Sequence, residues 1–225
     1  MHLPANVVDL AHRLGAGTDA YNAVRLTQTG TMQDRPGARA MRFSATQTIY
    51  LQRPEFEWNA RTGPLGLISV TDALKSGEPR LEVKALRWLR IASAPPSRQA
   101  AKGEMLRYLA ELAWAPDAIL RNPHLVWRVL SRERLSVSLD SNIVHAEIEI
   151  GLDQEGRIFS IFARDRPRKE GLTFVERPWA GRFSNYRRHE GRWLPFSGEV
   201  GWELDGGEFI AWRGELTNWS LESIS

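Results

Sequence analysis

The sequence predicts a mainly β protein, a single curved antiparallel sheet or half-barrel of about ten strands with a central helical lid. Three observations lead there. Apolar and polar residues alternate with a period of two over most of the chain, the pattern of strands that bury one face. Turn residues punctuate those runs, as in Asp34-Arg-Pro-Gly37, Ser76-Gly-Glu-Pro79, Asp153-Gln-Glu-Gly156 and Asp205-Gly206-Gly207. A single convincing helical stretch interrupts the pattern near the middle.

In chain order, residues 1–21 form an N-terminal segment with a short helix over Val7 to Leu14, ended by Gly15-Ala-Gly17. Val24, Leu26, Gln28, Gly30 and Met32 then share one strand face, against Arg25, Thr27, Thr29 and Thr31. Met41, Phe43, Ala45, Gln47, Ile49 and Leu51 make the next, and Phe56, Trp58 and Ala60 the third. Leu65 to Val70 is a shorter apolar run. Leu81, Val83, Ala85, Leu89 and Ile91 read as one strand, with a bulge near Arg87 and Trp88.

The helical insertion spans residues 98–121. Ala101, Met105, Tyr108, Leu109 and Leu112 make an apolar stripe at a 3.6-residue period, and Glu104, Arg107 and Glu111 lie opposite. Arg107 and Glu111 form an i,i+4 pair worth a few tenths of a kcal/mol, about 0.2–0.5, on an exposed helix. Ser97 is a candidate cap. Pro116 suits the first position of a second short helix, so Trp114-Ala115 is a corner where Trp114 packs, and Asn122-Pro123 ends the insertion.

Strands resume with Leu125 to Leu130, Leu135 to Leu139 and Ala146 to Ile150. Ile158 to Ala163 is apolar on both faces and is expected to be covered on both. Arg164 to Pro178 reads as a charged loop. Strands over Phe183 to Arg188, Arg192 to Leu204 and Glu208 to Trp219 complete the chain. No compositional boundary or internal repeat divides it, so residues 1–225 are expected to form one domain.

The chain has no cysteine, which excludes disulfides and thiolate chemistry. No run of 18 apolar residues is present, so no membrane-spanning helix is expected. Asp9, His12 and Arg13 interrupt the start where a signal peptide needs an apolar core, so the expected compartment is the cytoplasm, or the periplasm if an export segment precedes this sequence. Residues 157–192 hold ten Lys or Arg against four Asp or Glu, in a chain whose formal net charge is +3. That basic region would suit an anionic surface; a solvated sheet face with arginine-rich loops is the plainer account, and nucleic acid is not the expected partner.

His145, Glu147 and Glu149 share a strand face but make only a partial metal set, so neither metal nor cofactor is expected. The sequence has no G-x-S-x-G, P-loop, G-x-G-x-x-G or His-Glu-x-x-His motif, and no catalytic residue is assigned. Gln28 and Gln47 are more informative, each lying on an otherwise apolar strand face. An unpaired buried amide costs about 1–3 kcal/mol, so the two either bond each other or serve a ligand cavity. Large aromatics on a concave sheet face could line such a cavity. The candidate ligand-binding residues are Gln28, Phe43, Gln47, Trp58, Met105, Tyr108, Leu109, Trp202 and Trp212.

Three segments carry a resemblance: Arg107-Tyr-Leu-Ala-Glu-Leu-Ala-Trp-Ala-Pro116; Pro178-Trp-Ala-Gly-Arg-Phe-Ser-Asn-Tyr186 with Gly191-Arg-Trp-Leu-Pro195; and Ala211-Trp-Arg-Gly214. With Leu26-Thr-Gln-Thr-Gly30 and Phe56-Glu-Trp58, the set resembles an uncharacterised bacterial family, a domain of unknown function covering nearly the whole chain. The element order is also similar to the LolA-like lipoprotein carriers, incomplete barrels with a helical lid over an apolar cavity that binds acyl chains. That resemblance implies binding of a hydrophobic or lipid-like small molecule without chemistry. The alternatives are an enzyme of unidentified class using the same cavity and a protein-interaction scaffold.

Overall fold

The computed structural model describes residues 3–86 and 89–224. Its first meander comprises β1 (Ala23–Met32), β2 (Met41–Tyr50), β3 (Phe56–Thr62), β4 (Ile68–Lys75), β5 (Glu78–Ala85) and β6 (Leu89–Ala94). The second comprises β7 (Val126–Val129), β8 (Arg134–Asp140), β9 (His145–Leu152), β10 (Ile158–Glu170), β11 (Thr173–His189), β12 (Arg192–Leu204) and β13 (Gly207–Glu222). All thirteen strands join one antiparallel sheet, ordered β6 to β1 and then β13 to β7.

The first meander therefore runs outward from the middle of the sheet, and the second returns to it from the opposite edge. The two meet where β1 pairs with β13, from Ala23 opposite Glu222 to Met32 opposite Trp212. Since β6 and β7 lie at opposite edges, the chain between them has to cross the sheet. It does so as α2 (Arg98–Ala110), a turn of 3-10 helix (Glu111–Ala113) and α3 (Pro116–Arg121). Helix α2 packs against β8, β9 and β10 on one side and against β4 and β5 on the other.

The local chemistry of this crossing follows the sequence. Ser97 Oγ accepts from the backbone N–H of Ala100 at 3.1 Å, capping α2. Ala101, Met105, Tyr108, Leu109 and Leu112 are all buried. Trp114 fixes the corner, donating from Nε1 to the Pro195 carbonyl at 2.8 Å while its own carbonyl accepts from Trp219 Nε1 at 2.8 Å. Helix α1 (Ala5–Arg13) buries Val7, Leu10 and Ala11, and Asp117 anchors the segment after it by accepting from the Gly17 N–H at 2.9 Å.

Four expectations are corrected. Arg164 to Pro178 is not a loop but the outer arms of the β10–β11 hairpin, reversing at Gly171-Leu172. Its alternation is masked because the β10 arm carries charges on both faces and the adjacent Phe174 and Val175 of the β11 arm are both exposed, with Arg177 paired to Glu170 at 3.0 Å. Ile158 to Ala163 is covered on one face only, since Phe159 is 45% exposed. Leu65 sits in a tight 3-10 turn (Pro64–Gly66) at φ 54°, and the strand begins at Ile68. The run from Leu81 to Ile91 is two strands that reverse after Leu86; Arg87 and Trp88, where a bulge was expected, lie outside the described residues.

Leu109 is fully buried between helix and sheet. Leu109→Ala should lower the unfolding free energy by about 2–5 kcal/mol in urea titration, as large-to-small changes in a packed core do. A loss below about 1 kcal/mol would mean the helix sits loosely on the sheet.

Candidate functional site

Between α2 and the sheet lies a cavity of about 290 Å³. Strand alternation aims most of its wall residues inward: Gln28 and Met32 from β1, Trp58 from β3, Val70 and Asp72 from β4, Trp179 and Phe183 from β11, and Trp212 from β13, with Val200 and Glu199, the latter held by Arg182 and Arg213, from β12. The helical segment adds Arg107, Ala110, Glu111 and Trp114, and β10 adds Arg166. Four tryptophans thus share the wall with a charged cluster.

The aromatic part is braced by edge-to-face contacts and one stacked pair, Phe43 on Trp212. Trp114 meets Phe183 at 5.2 Å and Trp212 at 6.1 Å between ring centroids. Phe43 stands behind the wall, 5.6 Å from Trp58 and 5.8 Å from Trp212. Such contacts fix ring orientation and contribute about 0.5–1.5 kcal/mol each beyond area burial.

The charged part is centred on Arg107. Its guanidinium donates to Asp72 Oδ2 at 2.5 Å and to Glu111 Oε1 at 2.8 Å, with its face 4.7 Å from the Phe56 ring and 5.2 Å from Trp58. Gln47 donates from Nε2 to Glu111 Oε2 at 2.5 Å. Gln28 accepts from Trp58 Nε1 at 3.3 Å. The two glutamines therefore serve the cavity wall and do not bond each other. The polar face of α2 is turned into the sheet, and the Arg107–Glu111 pair is a buried linkage, not a surface one.

Burial, reinforced by Asp72 and opposed by Arg107 and Arg166, pushes the Glu104 carboxyl up to about 8. Burial also raises Glu111 against the pull of Arg107 and Gln47. It works against the charge of Arg107 too, but Glu111, Asp72 and Glu104 outweigh it and hold that pKa above its ordinary value. Arg166 is lowered, burial being the main cause. Among the described residues, Asp72 Oδ1, Gln47 Oε1 and Glu104 Oε2 are buried without a hydrogen-bond partner.

Of the nine residues read from the sequence, Gln28, Trp58 and Trp212 line this cavity. Phe43 and Gln47 brace the residues that do. Met105, Tyr108 and Leu109 are buried on α2 away from it, Tyr108 donating to the Tyr50 carbonyl at 2.9 Å. Trp202 lies in the wall of a second cavity, 5.6 Å from the Arg166 guanidinium and 5.3 Å from that of Arg168. The sequence reading missed Asp72, Arg107, Glu111, Trp114, Trp179 and Arg166. Asp72 had a signal: Val70, Asp72 and Leu74 share a strand face, and a carboxylate between two aliphatic residues there needs a reason.

His145 accepts or donates at 2.7 Å to Asp140, while Glu147 and Glu149 pair with Arg128 and Arg134. In the basic stretch 157–192, acids from outside the stretch neutralise much of the charge. Arg157 meets Asp153 at 2.9 Å, Arg182 meets Glu199 at 3.0 Å and Glu208 at 2.6 Å, and Arg192 meets Asp117 at 2.8 Å and Asp19 at 2.7 Å.

An open antiparallel half-barrel with a helical segment across its concave side and a cavity beneath is a LolA-like architecture. The chain is similar to a LolA superfamily protein from Nitrosomonas europaea, with a TM-score of 0.56 and 9% identity over 99% of this chain and 96% of that one. It is also similar to a DUF1329 family protein from Desulfovibrio piger, with a TM-score of 0.46 and 11% identity over 98% and 94% of the two chains. No curated protein sequence matches it. The chain belongs to DUF6544, a family of unknown function whose model matches residues 1–214. Among the described residues no helix is long and apolar enough to cross a membrane.

The raised Glu104 pKa sets a sign for stability. The native state keeps a proton that the unfolded chain releases near the ordinary value of 4.5, so stability falls as pH rises from there to about 8 and the loss is complete above it. Glu104→Gln should flatten that fall and stabilise the protein at pH 8–9 by about 1–3 kcal/mol, the cost of a buried group without a partner. Melting curves of the two proteins at pH 5, 7 and 9 measure this, and parallel profiles would show Glu104 ionised throughout.

Proposed function

We propose that the protein binds a hydrophobic or lipid-like small molecule in the cavity between the curved sheet and α2. The observation that carries this is the cavity itself, about 290 Å³ with Trp58, Trp114, Trp179 and Trp212 in its wall. That volume is at the lower end of the range for small-molecule sites, about 300–1,000 Å³. Gln28, Trp58 and Trp212 are the contacts in this reading. Phe43, Gln47, Met105, Tyr108 and Leu109 hold those contacts and the helix above them in place, and Trp202 stands beside Arg166. The LolA-like fold supports the assignment by analogy, since that resemblance implies acyl-chain binding.

One observation favours a second reading, an enzyme in the same cavity. Glu111 in its wall, and Glu104 in the wall of a neighbouring cavity, are carboxyls with raised pKa values, as catalytic acids often are. Binding remains the first reading because Glu111 is engaged by Arg107 and Gln47, which ties the helix to β2 and β4. Recruitment to an anionic surface by residues 157–192 is less favoured, since acids from outside the stretch compensate Arg157, Arg182 and Arg192.

Tryptophan fluorescence tests the binding reading with a series of straight-chain alcohols. Affinity should rise about fourfold per methylene, following about 0.8 kcal/mol per buried CH₂, until the cavity is full. Val70→Trp, which fills the cavity, should remove binding while the protein still melts cooperatively. Equal affinity in the folded variant and the parent would mean the alcohols bind elsewhere.

A further inference from the structure

We infer that the ligand is an amphipathic acid, its chain in the tryptophan-walled cavity and its anionic head group held by Arg166. This rests on the binding reading above and specifies the ligand class.

The first observation is how Arg166 comes to face inward. Along β10, Ile161 and Ala163 are buried, so plain alternation would turn Arg166 to the opposite face. The register breaks instead: Ala163 lies opposite Trp179 and Arg166 opposite Arg177, so two residues of β10 oppose the single Pro178 of β11. That is a β-bulge, and it flips the parity of the strand. Arg166 and Arg168 thereby join the inward face, and both guanidiniums approach the Trp202 ring, at 5.6 and 5.3 Å.

The second observation is what Arg166 lacks. Arg157, Arg168, Arg177, Arg182 and Arg192 each have a carboxylate within 4 Å. Among the described residues the Arg166 side chain has no ion pair and no hydrogen bond; its guanidinium lies over the Trp179 ring at 4.1 Å. A guanidinium offers five N–H donors in a fork that fits a carboxylate or phosphate. The acids nearest it are already committed or neutral. Asp72 and Glu111 are held by Arg107, and Glu104, at about 8, is mostly protonated at neutral pH.

The third observation is position. Arg166 lies in the wall of the inner cavity and also in that of a neighbouring one of about 310 Å³. The neighbour is bordered by Arg80, Arg168 and Lys169, with Asp34 and Glu104 as its acids. Gln99 and Ala100, in the first turn of α2, face it as well, and that helix end carries partial positive charge. Arg166 is thus shared between the tryptophan-walled cavity and the more basic one. A molecule with a chain and an acidic end, laid across Arg166, matches both.

Three ten-carbon probes that differ only in head group test this on the intact protein: decanoate, decanol and decylamine, titrated at pH 7 with tryptophan fluorescence as readout. Decanoate should bind at least about tenfold more tightly than decanol, the worth of a charge-assisted hydrogen bond, and decylamine most weakly. Arg166→Gln should remove that advantage while leaving decanol affinity within about twofold, and Arg166→Lys should keep part of it. Acetate at millimolar concentration should not displace decanoate. Equal binding of acid and alcohol, or tightest binding of the amine, would overturn the acidic head group and leave the cavity reading standing, whereas displacement by acetate would show a carboxylate bound without a chain and overturn the amphipathic ligand. If none of the three probes binds, both are wrong.

Discussion

The pairing of β1 with β13 is the constraint on which the rest depends. It joins strands some 190 residues apart, as in the hydrogen bond between Thr27 and Thr217, and turns two separate meanders into one sheet. Once it forms, β6 and β7 are at opposite edges, and the chain between them can only cross over a face. A helical crossing suits that task because its backbone bonds are satisfied within the segment while its side chains meet the sheet. The cavity is thus a consequence of connectivity: the crossing holds α2 over a sheet too strongly curved to meet it everywhere.

An amphipathic helix ordinarily presents one apolar face inward and one polar face to water. Helix α2 is covered on both. Its apolar stripe is buried, and its polar face meets β4 and β2 through the linkage of Arg107, Asp72, Glu111 and Gln47. Removing one member of such a linkage leaves an uncompensated charge in a partly buried place, which costs far more than the linkage itself contributes. The three charged groups are therefore coupled, and the helix position is specified by them as much as by its leucines.

Legibility in the sequence followed burial. The strand from Met41 to Tyr50 was readable because its faces meet different surroundings, with Phe43, Ala45, Gln47 and Ile49 inside. The helix, its Ser97 cap and the corner at Trp114 were readable because each is fixed by local chemistry. The arms of the β10–β11 hairpin were not, since charges on both faces of one arm and the adjacent, exposed Phe174 and Val175 of the other leave no period to detect. The facing of Arg166 was beyond reach for a different reason. It depends on one extra residue opposite Pro178, and a bulge is visible only once the partner strand is known. Gln28 and Gln47 stood out as polar residues on apolar faces, and Asp72 obeyed the same rule without being noticed.

The mixture of tryptophans and charges bears on why the cavity exists at all. An apolar void of this size under a helix would lose contacts on every side, and the neighbouring side chains would gain by closing it. The charged groups resist that closure. Asp72 Oδ1 and Gln47 Oε1 still lack partners, and Arg166 carries donors that the surrounding protein does not meet. Collapse would bury these groups more deeply with nothing gained in pairing. Water or a polar ligand group satisfies them only while the space stays open. The interactions that weigh against stability in the closed chain are therefore those that keep a binding space available, and their arrangement around Arg166 gives that space a direction.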